Sequence, residues 1–525
     1  MSVGLALVLS LLAGFAYFSR RFMGDWYLER PVVLGPLVGL IMGDLHTGLV
    51  VGGTLEFVFM GAVDIGGSVP PNYAIGAVLG TAFAIATGQG VETALLIAVP
   101  AALLGSFFEV LAKTFSSFFV NAAERAADRG DDRSIAMFMH LGNLLHFLAY
   151  ALPTFIALAL GASAVQRLAA SIPPWLNSGI SVAGKMLPAL GFALLLNSLA
   201  PGTMLPFFFV GFLLAAYTNW GVLGIAVLAI LIALIIQHYR QANDEDAAEL
   251  DPEATAGLGD TITRGDLRTL FFRSFALQSA FSFDRMQALG WTWSLIPFLK
   301  KIYRDQPEEY KNALKRHLTF FNTHMWVHGP ILALTADLEA RRARGEDIDE
   351  QAIQGLKGSL MGPLAGLGDS MFHGTLRPIM GGICAGLAVT GNPLAPIIFF
   401  VTVNAVHVFC AWYGLYKTYE WGQTVIARLA SGGLRQFLEG ASIAGLMAVG
   451  ALTGTWLNVT TPLAYKVQEA TVSVQGMLDS IMPRILPLTL VMIVFWFVRK
   501  QKKTTNIMLG LIAAGLVLGS LGVLG

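Results

Sequence analysis

The chain has 525 residues, of which 55% are hydrophobic and only 13% are charged. Soluble domains carry about 25% charged residues, so the composition excludes an ordinary soluble protein and predicts one that lies largely in a lipid bilayer. Lys plus Arg and Asp plus Glu both number 34, which gives a formal net charge of zero. This balance gives no support for a nucleic-acid partner.

The first apolar run extends from Val3 to Phe18 and is followed by Arg20 and Arg21. A secretory signal places its positive charges before the apolar run and ends in a small-residue cleavage site. We therefore predict a retained membrane segment. Cys384 and Cys410 lie in apolar runs without metal-ligand spacing, which predicts buried, inert thiols and no metal or cofactor.

Apolar stretches close to the roughly 20 residues that a helix needs to cross a bilayer recur along the chain. Several are short or contain Gly and Pro, so we also expect half-spans, which build binding sites in many transporters. The stretches are 2–18, 32–51, 74–99, 94–112, 136–161, 180–200, 204–217 and 220–237, followed by 371–391, 393–413, 437–458, 484–498 and 505–525.

The character of the chain changes between these two sets. Residues 238–262 are acidic and polar with no periodic apolar face, which is typical of a flexible linker. Residues 263–360 are charged and helix-patterned, and their excess of Lys and Arg predicts a cytoplasmic or interfacial section. The predicted fold is an all-α polytopic membrane protein with broken or re-entrant helices in two membrane halves, 1–237 and 361–525.

A first group of candidate site residues begins with Glu56, which has apolar stretches on both sides, and continues with Asp64, Ser68 and Asn72 in a segment broken by Gly and Pro. A charge at the bilayer centre costs roughly 2.5–3.5 kcal/mol on insertion scales. Broken backbone at that depth is tolerated only where protein or a water-filled cavity covers it. Together these features predict a polar solute site inside the membrane protein.

Carboxylates and amides at the end of a broken helix match a sugar, because each sugar hydroxyl is both a donor and an acceptor. Asp25 is a further candidate for this site. Asp44 is also a candidate, but helix capping or a turn is favoured for it and is an alternative for Asp64. For Glu56 the alternative is an ion or proton site, because capping does not explain a glutamate in the middle of an apolar run.

A second group opens the second membrane half, where Asp369, His373 and Arg377 recur every four residues and share a helix face if a helix begins near Asp369. Asp369 and Arg377 then pair through the histidine. Two interpretations stand equal, a ligand-facing site and an internal salt bridge that neutralises buried charge. Asn404 is a weaker candidate, and His407 in the same apolar run is interpreted as a satisfied core residue.

A third group, Asn322 and His324, lies in the charged middle section together with His317. No third residue has the spacing of a zinc ligand. A packed helix end is favoured over catalysis here, and Asn322 and His324 remain weaker candidates for substrate binding.

Several of these runs resemble one known family. Arg30-Pro31, Gly43-Asp44 and Gly52–Glu56 resemble the IIC component of the mannose/fructose/sorbose family of the bacterial phosphoenolpyruvate-dependent sugar phosphotransferase system. Four further runs resemble the IID component of that family: 320–324, 362–370, 374–378 and 439–443. The resemblance covers about 1–237 as IIC and 263–525 as IID, two components that are usually separate chains.

The resemblance implies a sugar-translocating unit without enzymatic activity of its own. It implies a trimer of IIC–IID pairs in the bacterial cytoplasmic membrane and a mobile core that carries a hexose, amino sugar or sugar acid past a scaffold. A cytoplasmic IIB protein, charged by IIA, phosphorylates the sugar as it emerges. The chain contains no Gly-x-x-x-x-Gly-Lys-Ser/Thr phosphate loop, so we expect any phosphoryl donor to be another protein.

Two alternatives from other functional classes remain at the level of sequence. The first is an ion- or proton-coupled secondary transporter of a polar solute, with Glu56 as the coupling site. The second is a membrane-embedded enzyme in which Asp369, His373 and Arg377 act as acid and base.

Overall fold

The computed structural model shows an all-α polytopic membrane protein with one small β-hairpin. The structure describes residues 1–61, 69–171, 174–199, 204–218, 220–241, 262–421, 432–467, 470–502 and 504–525. Within these residues four helices are long and apolar enough to cross a membrane, or up to five if one bent pair counts as a span. Several further apolar helices have only 12–15 residues, among them Pro31–Met42, Leu45–Phe59, Tyr73–Thr87 and Leu205–Thr218, as expected for a chain rich in half-spans.

The described residues of the first half form ten helices. They are α1 (Val3–Phe22), α2 (Pro31–Met42), α3 (Leu45–Phe59), α4 (Tyr73–Thr87), α5 (Val91–Ala127), α6 (Asp132–Ser171), α7 (Pro174–Met186), α8 (Pro188–Leu199), α9 (Leu205–Thr218) and α10 (Val222–Gln241). Residues 238–241, which we expected in the linker, belong to the last turn of α10, and 242–261 lie outside the described residues.

Three of the expected spans are wrong, because each is broken into two elements. The stretch 180–200 is divided between α7 and α8 at Leu187. The stretch 32–51 is divided between α2 and α3 at Gly43, whose φ of 83° lies in the left-handed region that ends helices at glycine. Asp44 then caps α3 by accepting a hydrogen bond from the Thr47 backbone N–H at 3.0 Å, which confirms the capping interpretation. The stretch 74–99 is divided in the same way after α4 at Gly88, with φ 68°.

The second half begins with five helices of the charged section, α11 (Arg264–Ser274), α12 (Ala288–Ile302), α13 (Pro307–His317), α14 (Gly329–Ala343) and α15 (Glu350–Gly368). A π-helical segment, Asp369–Leu376, continues directly from α15. The remaining elements are α16 (Arg377–Val389), α17 (Ala395–Trp421), α18 (Gly432–Thr455), β1 (Ala464–Val467), β2 (Ala470–Ser473), α19 (Val474–Ile481), α20 (Ile485–Arg499) and α21 (Thr504–Ser520).

The sequence pattern does not predict the β-hairpin or the bend that follows it. Strands β1 and β2 pair antiparallel, with Ala464 opposite Ser473 and Val467 opposite Ala470. The helices α19 and α20 then meet at an angle of 76°. Arg484, at the bend, has a φ of 62°, a conformation that non-glycine residues adopt rarely.

Buried charges organise the charged section. Arg316 Nε donates to Glu339 Oε1 at 2.7 Å, and His317 Nε2 lies 2.9 Å from the same oxygen. Tyr303 donates its hydroxyl to Glu339 Oε2 at 2.6 Å. Burial lowers the pKa of His317 to about 4, so at neutral pH this histidine is uncharged and donates its Nε2–H to the carboxylate. The prediction of a packed helix end at His317 is confirmed.

The two halves share extensive helix contacts. The first hydrophobic core contains buried residues of α3, α8 and α9 together with residues of α18 and α20. Small residues bring the helices close, since a Cβ added at Gly179 of α7 would lie 2.7 Å from the Leu516 carbonyl oxygen of α21. Helix α16 packs on α3 in the same way, at Gly53, where an added Cβ would lie 2.7 Å from the Ala385 carbonyl oxygen.

Candidate functional site

The centre of the candidate site is an ion pair between Arg30 and Glu56, both fully buried. Arg30 Nε donates to Glu56 Oε1 at 3.0 Å and to Oε2 at 3.3 Å, and its Nη2 also contacts Oε1. The Val32 backbone N–H, in the first turn of α2, donates to Oε2 at 3.3 Å. The Glu56 carboxylate therefore lies at the positive end of α2, where an anion is stabilised.

The second half of the chain contributes Arg377 to this centre. Its Nη2 donates to the Met60 carbonyl oxygen at 3.3 Å, and its guanidinium lies 5.9 Å from the ring centroid of Tyr27. A Cβ added at Gly381, one turn along α16, would lie 3.1 Å from Glu56 Oε1. The start of α16 thus faces the Arg30–Glu56 pair, and the site is built by both halves.

Asn72 is the N-terminal cap of α4, where its side-chain oxygen accepts a hydrogen bond from the Ile75 backbone N–H at 3.1 Å. Its Nδ2 is buried, and within the described part of the chain it has no hydrogen-bond partner. The same is true of the Tyr27 hydroxyl and of Arg30 Nη1. These groups can hydrogen-bond a hydroxyl-rich ligand. Asp64 and Ser68 lie outside the described residues.

Asp25, Asp369 and His373 form a second polar group. His373 Nε2 lies 3.4 Å from Asp25 Oδ2, and His373 Nδ1 lies 3.3 Å from Asp369 Oδ1. Arg20 Nε lies 3.2 Å from Asp25 Oδ1. Of the expected pairing of Asp369 with Arg377 through His373, the contact between Asp369 and His373 is present. The expected helix is a π-helix, and Arg377 reaches the Met60 carbonyl and Tyr27.

His324 joins this second group through its ring, which lies 4.6 Å from that of His373 between centroids. The Trp326 backbone N–H donates to His324 Nδ1 at 3.2 Å, so the proton of the neutral ring is on Nε2. Asn322 is partly buried, and its backbone N–H contacts Met361 Sδ at 3.4 Å. Both residues line a cavity with Asp369 and His373.

His324, Asp369 and His373 have ligand atoms within 4.8 Å of one another, which is close enough to hold a metal ion. The surroundings fit a metal poorly. His324 Nδ1 already accepts a backbone hydrogen bond, which places a proton on the nitrogen that would have to ligate. The Arg20 and Arg21 side chains line the same cavity and repel a cation. The absence of a metal therefore stays our prediction.

Asn404 and His407 both lie on α17, but in the part of the chain that the structure describes only Asn404 has hydrogen-bond partners for its side-chain nitrogen. Asn404 Nδ2 donates to the carbonyl oxygens of Trp26 at 3.0 Å and Phe400 at 2.8 Å, so it fastens the loop after α1 to α17. His407 is buried and stacks on Trp326 at 5.1 Å. Within the described residues neither ring nitrogen of His407 has a hydrogen-bond partner, so the prediction of a satisfied core histidine is wrong.

A third charged group was missed by the sequence analysis. Glu109 of α5 accepts hydrogen bonds from Tyr17 at 3.0 Å and Tyr150 at 2.8 Å, and Lys113 Nζ lies 2.9 Å from it. Arg21 Nη2 lies 3.7 Å from the same carboxylate. The available signal was the occurrence of Glu109 and Lys113 inside an apolar stretch, four residues apart on one helix face.

Comparison with known proteins identifies relatives of both halves. Residues 261–524 match the family described as PTS system mannose/fructose/sorbose family IID component, and residues 3–235 match the PTS system sorbose-specific IIC component. The mannose-specific EIID component of Escherichia coli strain K12 is 39% identical over 270 residues, covering 50% of this chain and 95% of that protein. The mannose-specific EIIC component of the same strain is 31% identical over 237 residues, covering 45% and 87%.

Related chains are found in other bacteria and among solved structures. The sorbose-specific EIID component of Klebsiella pneumoniae is 39% identical over 269 residues, covering 50% of this chain and 98% of that protein. A solved structure described as a cryo-EM structure of the mannose transporter ManYZ with microcin E492 is 39% identical. It covers 50% of this chain and 98% of that chain, with a TM-score of 0.30.

Proposed function

Since the chain belongs to the mannose/fructose/sorbose family of sugar phosphotransferase permeases and carries IIC and IID components together, we propose that it translocates a hexose or related sugar inward for phosphorylation by a separate IIB protein. The phosphoryl group comes from phosphoenolpyruvate through soluble carriers, IIA and IIB. The chain works as a homotrimer in the bacterial cytoplasmic membrane and moves the sugar with a mobile core.

One observation carries this proposal: a buried polar site is built jointly by the IIC-like and IID-like halves. Glu56 and Arg30 come from one half and Arg377 from the other. Glu56, Asn72 and Arg377 supply hydrogen-bonding groups, and Asp64 and Ser68 are assigned to the same site. Asp369 and His373, with Asp25, Asn322, His324 and Asn404 as weaker members, extend the site or support it.

The direction of transport follows from electrostatics. A neutral sugar leaves the site toward either side of the membrane. A sugar phosphate is charged, and moving a charge through the bilayer core is costly. Phosphorylation on the cytoplasmic side therefore makes uptake unidirectional without an ion gradient.

We extend the proposal to the organisation of the chain. Residues 1–241, through the end of α10, form the IIC-like membrane domain, 242–262 the linker, 263–360 the IID-like cytoplasmic section and 361–525 the IID-like membrane section. The alternative of coupling to an ion or proton relied on Glu56 as an isolated carboxylate. Arg30 neutralises that charge, which removes the observation that favoured the alternative.

Uptake into sealed vesicles tests the proposal. The expected result is accumulation of sugar phosphate only when phosphoenolpyruvate and the soluble carrier proteins are enclosed. Uptake that continues without them and stops with an uncoupler identifies a secondary transporter. Conversion of the substrate by the detergent-solubilised chain alone identifies an enzyme.

The sugar is identified separately with the purified protein. Hexoses, hexosamines and aldonic acids are screened for an increase in the thermal unfolding midpoint, because a ligand that binds only the folded state stabilises it.

A further inference from the structure

A small cavity separates the second polar group of the candidate site from the Glu109 group. It is lined by residues of α1, α5 and the second half, among them Arg20, Arg21, Lys113, His324 and Asp369. Its volume is about 50 Å³, which is room for about four water molecules. This space fits one charged group of a ligand and is far smaller than the roughly 300–1,000 Å³ of a site that holds a whole small molecule.

The charges that face this cavity are mostly positive. Among its described lining residues, Arg20, Arg21 and Lys113 are cations, and Asp369 is the carboxylate. The carboxylates that pair with the cations, Asp25 and Glu109, do not line it. Arg21 and Lys113 also share the one Glu109 carboxylate, so this pair of cations keeps a positive charge in excess.

Hydrogen-bond donors also face the cavity. His324 is 3% exposed, and its Nε2 carries the proton because Nδ1 accepts from the Trp326 N–H. Within the described residues this buried Nε2–H has no acceptor, and Arg21 Nε is likewise buried without one. A buried donor without an acceptor destabilises the folded protein, and an anionic oxygen in the cavity satisfies it.

We propose that this cavity is an oxyanion site in which Arg21, Lys113 and His324 hold one carboxylate or phosphoryl group of a sugar derivative. The inference rests on the proposed function and deepens it. The anion is either the carboxylate of a sugar-acid substrate or the phosphoryl group that the sugar receives, and both present negative oxygens to the same donors.

Binding of three probes to the purified full chain tests the site by isothermal titration calorimetry: inorganic phosphate, gluconate and the neutral polyol sorbitol. The expected result is binding of gluconate or phosphate with an affinity above that of sorbitol. Preference for gluconate identifies the substrate carboxylate, and preference for phosphate identifies the transferred phosphoryl group. Failure of both anions to bind overturns the proposal.

Variants assign the binding to these side chains. Lys113→Met and His324→Phe each weaken anion binding by about tenfold or more, the loss expected for one charge-assisted hydrogen bond. His324→Gln keeps a donor and restores most of the affinity. Lys315→Met and His140→Phe are the matched controls, because both positions lie outside the cavity.

Unchanged anion affinity in both Lys113→Met and His324→Phe overturns the proposal. If Lys113→Met does not fold, the comparison of His324→Phe with His324→Gln decides alone. If wild-type vesicles show no phosphoenolpyruvate-dependent uptake but the purified chain binds the anion, the proposed function is wrong and the oxyanion site stands. If the vesicles take up sugar but the chain binds no anion, the oxyanion site is wrong and the proposed function stands.

Discussion

His373 Nε2 lies 3.4 Å from Asp25 Oδ2, although 348 residues separate the two in the chain. Asp25 is fully buried and also lies 3.2 Å from Arg20 Nε through its other oxygen. One carboxylate of the IIC-like half therefore holds a guanidinium of its own half and an imidazole of the IID-like half. The contact ties the π-helical segment to the loop after α1.

We expect Asp25→Asn to destabilise the protein by roughly 3–5 kcal/mol, the cost of breaking a buried ion pair by removing one partner. His373→Gln has a smaller effect, because the glutamine amide can still donate a hydrogen bond to Asp25. A double-mutant cycle on unfolding free energies should give a coupling of about 0.5–3 kcal/mol. Additive effects contradict a direct interaction between Asp25 and His373.

The Arg30–Glu56 pair gives a prediction about sugar binding. Glu56→Gln keeps the shape of the side chain and removes its charge, so Arg30 then faces a neutral acceptor. We expect the complex to stay assembled and the affinity for the transported sugar to fall by about tenfold or more. Titration calorimetry with the sugar found in the thermal screen measures this.

Glu346→Gln is the matched control for this substitution. Glu346 pairs with Arg341 and Arg344, and the side chains of these residues are exposed by 39–44%. We expect Glu346→Gln to change neither the affinity for the sugar nor the assembly of the complex. If Glu56→Gln binds the sugar as tightly as the wild type does, Glu56 is not part of the sugar site.

The class of fold and the broken helices were predictable because their causes are local. Charge depletion, apolar stretches and Gly-Asp or Gly-x-Gly breaks are visible in the sequence, and a glycine at a helix end has few alternatives. The turn at Gly43-Asp44 was predicted, although hydropathy alone gives 32–51 as one span. The break at Gly88 was not predicted, because the runs that flank it are equally apolar.

The partners of the site residues were not predictable, because they depend on contacts distant in sequence. Glu56 was identified as a candidate, but its partner Arg30 lies 26 residues away on another element. Asp25 and His373 come from different halves. The spacing of Asp369 and His373 was informative, since an i, i+4 pair is local. The prediction for His407 was wrong because an apolar run predicts that a side chain is buried but not whether it finds a hydrogen-bond partner.

A close approach between α2 and α3 supports the Arg30–Glu56 pair. A Cβ added at Gly52 would lie 2.6 Å from the Pro31 carbonyl oxygen, a distance that backbone cannot accommodate without moving. We expect Gly52→Ala to destabilise the protein by about 1–3 kcal/mol, the usual cost of overpacking. Gly358→Ala is the control, because nothing lies within 4 Å of its added Cβ.

Gly358→Ala should be neutral or stabilising by up to about 1 kcal/mol, since alanine has the higher helix propensity. Thermal unfolding of the two variants in the same detergent measures the difference. Equal midpoints contradict the close approach of α2 and α3.

The charged section gives a pH dependence. Burial lowers the pKa of His317 to about 4 from 6.5. Burial opposes ionisation of Glu339, but the His317 hydrogen bond and the Arg316 charge lower the pKa of this carboxyl to about 2 from 4.5. In both cases the unfolded state binds more protons, so stability falls with acidification, from pH 6.5 to 4 for His317 and from 4.5 to 2 for Glu339.

The unfolding midpoint of the wild type, measured between pH 7 and 4, should therefore decrease more steeply than that of His317→Gln. The variant has no titrating imidazole at this position, and its amide can still donate to Glu339. Parallel pH profiles for the two proteins contradict a buried, neutral His317.

The linker gives the last prediction. We expect cleavage within 240–260 to leave transport intact, because the two halves are held together by their helices. The cores formed by α3, α8 and α9 with α18 and α20 do not depend on that connection, and α7 approaches α21 closely at Gly179. The linker then only raises the local concentration of one half for the other.

A protease site inserted in 242–261 allows the cut to be made after assembly. Co-purification of the two fragments and uptake into vesicles are measured before and after proteolysis, with the uncut variant as control. In a second preparation the two halves are co-expressed as separate chains. We expect them to assemble into the same complex at a lower yield. Fragments that stay associated but no longer transport assign the linker a structural role in the transport cycle.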